Sequence, residues 1–120
     1  MTQTTTRERI EVLVDAPLAP HLARLAKSAG ITGHTLIRTE SGRGRNGEWS
    51  EDLLSGATAK YIFLTIANNQ RADAFIASLT PLLESHGLVV LRSTVNVIRP
   101  DRFSPPASLC RRGRMRRNAR

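Results

Sequence analysis

The stretch Ser41-Gly42-Arg43-Gly44-Arg45-Asn46-Gly47 holds the residues of this chain best suited to chemistry. Its three glycines let the backbone approach a ligand and offer N–H groups to it, while the guanidiniums of Arg43 and Arg45 can fork onto the oxygens of a phosphate or carboxylate. With Asn46 they form a candidate site for a small anion, in which each well-made charged hydrogen bond contributes about 1.5–3 kcal/mol. The spacing Gly42-x-Gly44-x-x-Gly47 also matches a dinucleotide-binding fingerprint, but that motif needs a helix directly after it. Glu48-Trp49-Ser50-Glu51-Asp52 opens no long helix, so a Rossmann site is not expected. Trp49, the only tryptophan, is either a clamp on a ligand or a cap on an apolar patch.

Other chemistry is not written here. His21, His34 and His86 lack metal-ligand spacing and read as surface or satisfied histidines. No Ser/His/Asp group and no paired carboxylates stand out, so an enzyme is not expected. Cys110 is the single cysteine, which excludes an intrachain disulfide and a thiolate metal cluster and fits a reducing compartment. No apolar run approaches the roughly 20 residues of a membrane helix, and the first residues lack a signal-peptide core. The expectation is a soluble, cytoplasmic protein that needs no cofactor.

The glycine stretch lies in a segment from Glu40 to Ala57 with neither helical nor strand periodicity, read as a long functional loop. Around it, Ile10, Val12 and Val14 alternate with polar residues and predict a strand from about Glu8 to Val14. Leu18, Leu22, Leu25, Ala26 and Ala29 recur at helical spacing, with Pro20 in the first turn and Gly30 as the stop. Gly33 to Arg38 and Tyr61 to Ile66 read as further strands. A second helix carries Ala72, Phe75, Ile76, Leu79, Leu82 and Leu83, with Asn69 as its cap and Pro81 as a kink or the mark of its last turn. A final strand runs from Leu88 to Ile98.

This order, β-α-β-β-α-β, is the split βαβ of ferredoxin-like α+β folds, with two helices on one face of an antiparallel sheet. Tyr61-Ile62-Phe63-Leu64 and Leu88-Val89-Val90-Leu91 are apolar on both sides, whereas a sheet with one wet face should alternate. A second copy of the chain is the simplest cover, so a homo-oligomer with its sheets inside is expected. Tyr61 and Phe63 are read as core rather than as RNA-stacking aromatics.

At 120 residues there is room for one domain. The formal charge of +8 suggests nucleic acid, yet six of the 18 basic residues lie in 104–120, a tail without acids. The body is left with 12 basic and 10 acidic residues, so the basicity belongs to the tail. The expected organisation is a flexible arm (1–6), a domain (7–103) and a disordered basic tail (104–120).

Gly30-Ile31-Thr32-Gly33-His34-Thr35, followed by a strand and Gly42-Arg43-Gly44-Arg45, resembles the helix end and T-loop entry of the PII signal-transduction family. Val97-Ile98-Arg99-Pro100-Asp101-Arg102 is similar to that family's C-terminal strand and C-loop. The resemblance implies a homotrimer that binds adenine nucleotide between subunits, with residues 40–57 as a T-loop that docks a protein partner. It places Thr35, Gly42, Gly44, Gly87, Leu88, Arg99 and Arg102 in the nucleotide site. Three departures stand out. The family's uridylylated T-loop tyrosine is missing, Leu88 follows Gly87 where nitrogen regulators carry a phosphate-binding lysine, and Asp101 replaces the second C-loop arginine, with Arg102 beside it. The missing lysine favours ADP or AMP over ATP, and these losses, with a B-loop shortened to Ser85-His86-Gly87, are similar to the PII-like branch tied to bacterial inorganic-carbon uptake and carboxysomes. That branch implies bicarbonate, a planar anion suited to Arg43, Arg45 and Asn46. The alternatives are a nitrogen regulator binding ATP or ADP with 2-oxoglutarate, and an RNA-associated module gripping phosphates with Arg111-Arg112-Gly113-Arg114-Met115-Arg116-Arg117.

Overall fold

The computed structural model describes residues 4–44, 47–50 and 59–98. Its elements run β1 (Thr5–Asp15), a 3-10 turn (Ala16–Leu18), α1 (Ala19–Ser28), β2 (Thr35–Arg38), β3 (Ser41–Gly44), β4 (Gly47–Ser50), β5 (Lys60–Ala67), α2 (Asn69–Ser85) and β6 (Val89–Val97). Four strands form one antiparallel sheet in the order β2-β5-β1-β6, and β3 and β4 form a separate two-stranded ribbon. The main sheet and two helices are the ferredoxin-like α+β arrangement expected from the pattern of apolar residues.

Successive side chains of a strand point to opposite faces, so the parity of β1 sorts the whole sheet. Ile10, Val12 and Val14 are at most 1% exposed. Their register partners on β5 are Thr65, Phe63 and Tyr61, which places Phe63 and Tyr61 on the same, helix-covered face. The helices reach that face with similar spacing: Ala19, Leu22 and Ala26 on α1, Ala72, Phe75 and Leu79 on α2, all buried. The i, i+3, i+7 pattern keeps each set on one stripe. Phe75 meets Phe63 with ring centroids 5.8 Å apart. His34 also stacks on the Phe63 ring, at 4.7 Å, and so has a packing role.

Among the described residues, the opposite face is covered by no element. It carries Leu13, Ile62 and Ile37 in one row and Glu11, Leu64 and Leu91 in the next, with Val89 beside Leu13. Ile37, Val89 and Leu91 are 41%, 50% and 58% exposed.

Several boundaries differ from the sequence reading. β1 begins at Thr5 rather than near Glu8, because Thr5 and Thr6 pair with Val97 and Asn96 and extend the ladder into the expected N-terminal arm. β2 begins at Thr35. The Gly33 carbonyl instead accepts the Thr65 hydroxyl at 2.5 Å. Asn68, not Asn69, caps α2, accepting the Arg71 N–H at 2.8 Å. Pro81 lies in the last stretch of α2, where its missing N–H deprives one carbonyl of a partner and the helix still reaches Ser85. Gly30 ends α1 with φ +87°, a conformation that disfavours a side chain, and its carbonyl accepts Arg71 Nη1 at 2.7 Å.

A charged cluster fixes β6. All three guanidinium nitrogens of Arg92 donate: Nε to Glu8 Oε1 at 2.7 Å, Nη1 to Asp73 Oδ1 at 2.7 Å and Nη2 to Asn69 Oδ1 at 2.6 Å. Thr94 donates to the other Glu8 oxygen at 2.9 Å. One side chain thus joins β6 to β1 and to the first turns of α2. The hydrogen bond from Arg92, and after it that from Thr94, holds the Glu8 carboxyl below its ordinary value. Arg92 is held above its own by hydrogen bonds to Glu8 and Asp73.

Two outcomes follow from this packing. Phe75→Ala should lower stability by roughly 3–5 kcal/mol, read as a shift of the urea midpoint at unchanged slope. A carboxylate depressed in the folded state stabilises it above the unfolded glutamate's titration near about pH 4.3, and that contribution is lost as pH falls through the lower folded value. Glu8→Gln should therefore be less stable than wild type at neutral pH and converge with it in acid. Equal differences in urea midpoint at both pH values would contradict this.

Candidate functional site

Residues 40–57, expected to lack regular structure, contain a β-hairpin at their base. Ser41, Gly42, Arg43 and Gly44 pair with Ser50, Trp49, Glu48 and Gly47. The glycines hid the strands from a periodicity reading, since they contribute no alternation. Among the described side chains, the cross-strand pair of Arg43 and Glu48 ties the ribbon beyond its backbone bonds. Arg43 Nε and Nη2 both donate to Glu48 Oε2, at 3.0 and 2.6 Å. The two side chains are 80% and 66% exposed. Positions 41, 43, 48 and 50 share one face of the ribbon, and the glycine positions 42, 44 and 47 share the other with position 49.

The loop is anchored where it leaves and rejoins the sheet. Thr39 donates its N–H and its hydroxyl to the Lys60 carbonyl, at 3.2 and 2.7 Å. Lys60 Nζ reaches Asp15 Oδ1 at 2.5 Å, and the Ala16 N–H bonds the Ala59 carbonyl at 2.9 Å. These contacts draw the two ends of the arm together over the C-terminal end of β1. Sequence reasoning missed them and the Arg92 cluster alike. Most join residues far apart in the chain, 45 positions for Asp15 and Lys60, and no local spacing announces them.

The remaining predicted site residues fall in separate places. Thr35 opens β2, exposed, on the open face opposite Leu64. Gly87 adopts φ +61° just before β6. Leu88 is 8% exposed and belongs to the core cluster, so it can offer a ligand only its backbone. β2 and β6 are opposite edges of the sheet with two strands between them, about 14 Å apart at strand spacing. Val89 begins β6 near the end of β1 and Val97 pairs with Thr5 at its start. β6 therefore carries the chain about 27 Å at ordinary strand rise, from Val89 beside the Gly87 turn to Val97. Arg45, Asn46, Arg99 and Arg102 lie outside the described residues, as does the basic tail at 104–120. One chain thus brings Gly42, Arg43 and Gly44 together and leaves Thr35, the Gly87 turn and the end of β6 apart.

Among the described residues, no group of three His, Cys, Asp or Glu side chains could hold a metal ion, and no helix is long and apolar enough to cross a membrane.

The model of the family described as nitrogen regulatory protein P-II matches residues 7–102. No match was found among curated proteins. Among solved structures, the fold resembles that of CPII, a nitrogen regulatory PII-like protein from Thiomonas intermedia K12 bound to ADP, AMP and bicarbonate. The TM-score is 0.77 at 20% identity, covering 84% of this chain and 96% of that one. A structure of the same protein with ADP, AMP and acetate gives a TM-score of 0.70 at 19% identity, covering 84% and 97%. A PII-like signalling protein from Thermus thermophilus gives 0.74 at 16% identity, covering 85% and 99%. With four-fifths of its length matched by the family model, and with the ferredoxin-like sheet and helices described above, this chain belongs to the P-II family.

Proposed function

We propose that this protein is a signalling regulator that binds ADP or AMP in preference to ATP, together with a small oxyanion such as bicarbonate, and reports both to a protein partner through the hairpin arm. The observation that carries this reading is the separation of Thr35, the Gly87 turn and the end of β6 within one chain. The end of β6, about 27 Å along the strand from the Gly87 turn, can line the same nucleotide as that turn only if a different copy supplies it. The open sheet face supplies the reason for copies to meet. Leu13, Ile37, Ile62, Leu64, Val89 and Leu91 form a mainly apolar surface, interrupted by Glu11, that three chains could bury against one another. A homotrimer with nucleotide between its subunits accommodates both features.

Leu88 at the position of a phosphate-binding lysine removes one cation from the site, which supports a preference for fewer phosphates. CPII, which shares this fold, is bound to ADP and AMP with bicarbonate in one structure and with acetate in another, a pair of small planar oxyanions of the kind a guanidinium fork receives. In this reading Thr35, Gly42, Gly44, Gly87, Leu88, Arg99 and Arg102 surround the nucleotide, and Arg43, Arg45 and Asn46 receive the anion. Nucleotide and anion each favour one arrangement of the arm, so that each alters the affinity for the other. The setting proposed is the bacterial cytoplasm, with inorganic-carbon uptake or carboxysomes as the process served.

Calorimetric titration with ADP, AMP and ATP, each with and without bicarbonate and with 2-oxoglutarate in parallel, tests the ligand assignment. Tighter ADP or AMP binding in bicarbonate is the expected result. ATP binding strengthened by 2-oxoglutarate alone would move the protein to nitrogen control, and no nucleotide binding would end the sensor reading. Light scattering tests the assembly. Wild type should show about three times the 13.2 kDa chain mass, and Leu91→Glu on the open face should reduce it toward one chain while the circular dichroism of the fold persists. An unchanged mass in the variant would contradict burial of that face.

A further inference from the structure

Arg43 meets its partner in a geometry that a ligand would otherwise take. Two N–H groups, on Nε and Nη2, converge on a single oxygen of Glu48, at 3.0 and 2.6 Å, along the edge of the guanidinium that receives bidentate oxyanions. Glu48 sits directly opposite Arg43 across the ribbon, so the chain itself delivers a carboxylate into the fork. With the side chains 80% and 66% exposed, exchange of that carboxylate for a ligand requires no opening of the core.

The geometry points to Glu48 as a built-in competitor for Arg43, a carboxylate that fills the guanidinium fork until a small planar oxyanion displaces it. This rests on the reading of Arg43 as an anion ligand and assigns the regulation of that site. An exposed ion pair of this kind shifts an equilibrium by roughly twofold to fivefold. That is enough to raise the anion concentration at which the site fills, and too little to close it. Arg92 is a cation of the other kind. Its three nitrogens are each bound to a different residue and its side chain is 29% exposed, so it is committed to holding β6.

Displacement also changes the arm. Across the ribbon, Gly42 and Gly44 contribute no side chains to the pairing, so the Arg43–Glu48 bridge is the side-chain tie between β3 and β4 among the described contacts. Anion binding therefore exchanges a tie within the hairpin for a tie to the ligand and alters what the arm presents. The anion's concentration is thereby read as a change in hairpin cohesion.

The test uses the full chain labelled with nitrogen-15 and follows the Gly44 and Gly47 amide resonances during titration with sodium bicarbonate against sodium chloride of equal ionic strength. Glu48→Gln should bind bicarbonate about two- to fivefold more tightly than wild type. The gain should vanish in the double variant Arg43→Gln/Glu48→Gln, which isolates the pair from its surroundings. Glu40→Gln, the same change of charge at the loop entry, should show no gain. Equal affinity in wild type and Glu48→Gln, a gain that persists without Arg43, a matching gain in Glu40→Gln, or no bicarbonate response in any form would each overturn the inference. ADP titration of the same samples reports on the nucleotide assignment separately, so failure of that assignment and failure of the Glu48 role are told apart.

Discussion

The parity of β1 is the constraint from which the rest of the molecule follows. β1 is paired on both edges, by β5 and by β6, so its alternation is imposed on both neighbours. Ile10, Val12 and Val14 select the face that α1 and α2 must cover, and Phe63 and Tyr61 are carried to that face by register alone. A slip of one residue would turn Arg9, Glu11 and Leu13 toward the helices and expose the core. The same parity places Leu13, Ile62 and Leu64 on the other side, where none of the described elements forms a layer over them. The apolar part of the open face comes from Leu13 and from β5, where Ile62, Leu64 and Ile66 alternate with the residues turned to the core, while Arg9 and Glu11 keep the rest of β1 charged on that side.

Charge is used in two different ways on this frame. Around Arg92 it replaces apolar packing where α2 begins and the helix layer runs out, and each nitrogen is matched to an oxygen on a different residue. At Arg43 the guanidinium is well exposed and shares one oxygen, on a ribbon floored by glycine. The first arrangement holds a strand in register. The second leaves a cation available on an arm pinned at Thr39 and Lys60 but outside the core. Structural and responsive charges are therefore segregated by how completely each is partnered.

Element order was legible because burial writes periodicity into the sequence. The helical spacing at positions 22 and 26, and again at 72, 75 and 79, needs no knowledge of what packs against it. The hairpin was not legible, because glycine leaves no pattern and the Arg43–Glu48 tie exists only once β3 and β4 are in register. The Arg92 cluster was equally silent, as Glu8 lies 84 positions away. Asn68 and Asn69 show the limit at its finest. Both are asparagine, a residue suited to a cap, and the contacts differ: Asn69 accepts from Arg92 while Asn68 accepts from the Arg71 N–H of the helix. Of the candidate site, the glycine and arginine stretch was readable from composition, whereas the distances between its parts are a property of sheet order.

β6 has one further consequence. It is nine residues long and forms an edge of the sheet, with Val89 and Leu91 exposed at its beginning. Such an edge can template another strand and seed aggregation. Past Leu91 its sequence turns to Arg92, Ser93, Thr94 and Asn96, and Arg92 is bound back to the body of the domain. Arg92, Ser93, Thr94 and Asn96 work as gatekeepers around the half-buried Val95 and Val97, so that a newly made chain has a broken edge to conceal rather than a full apolar strand.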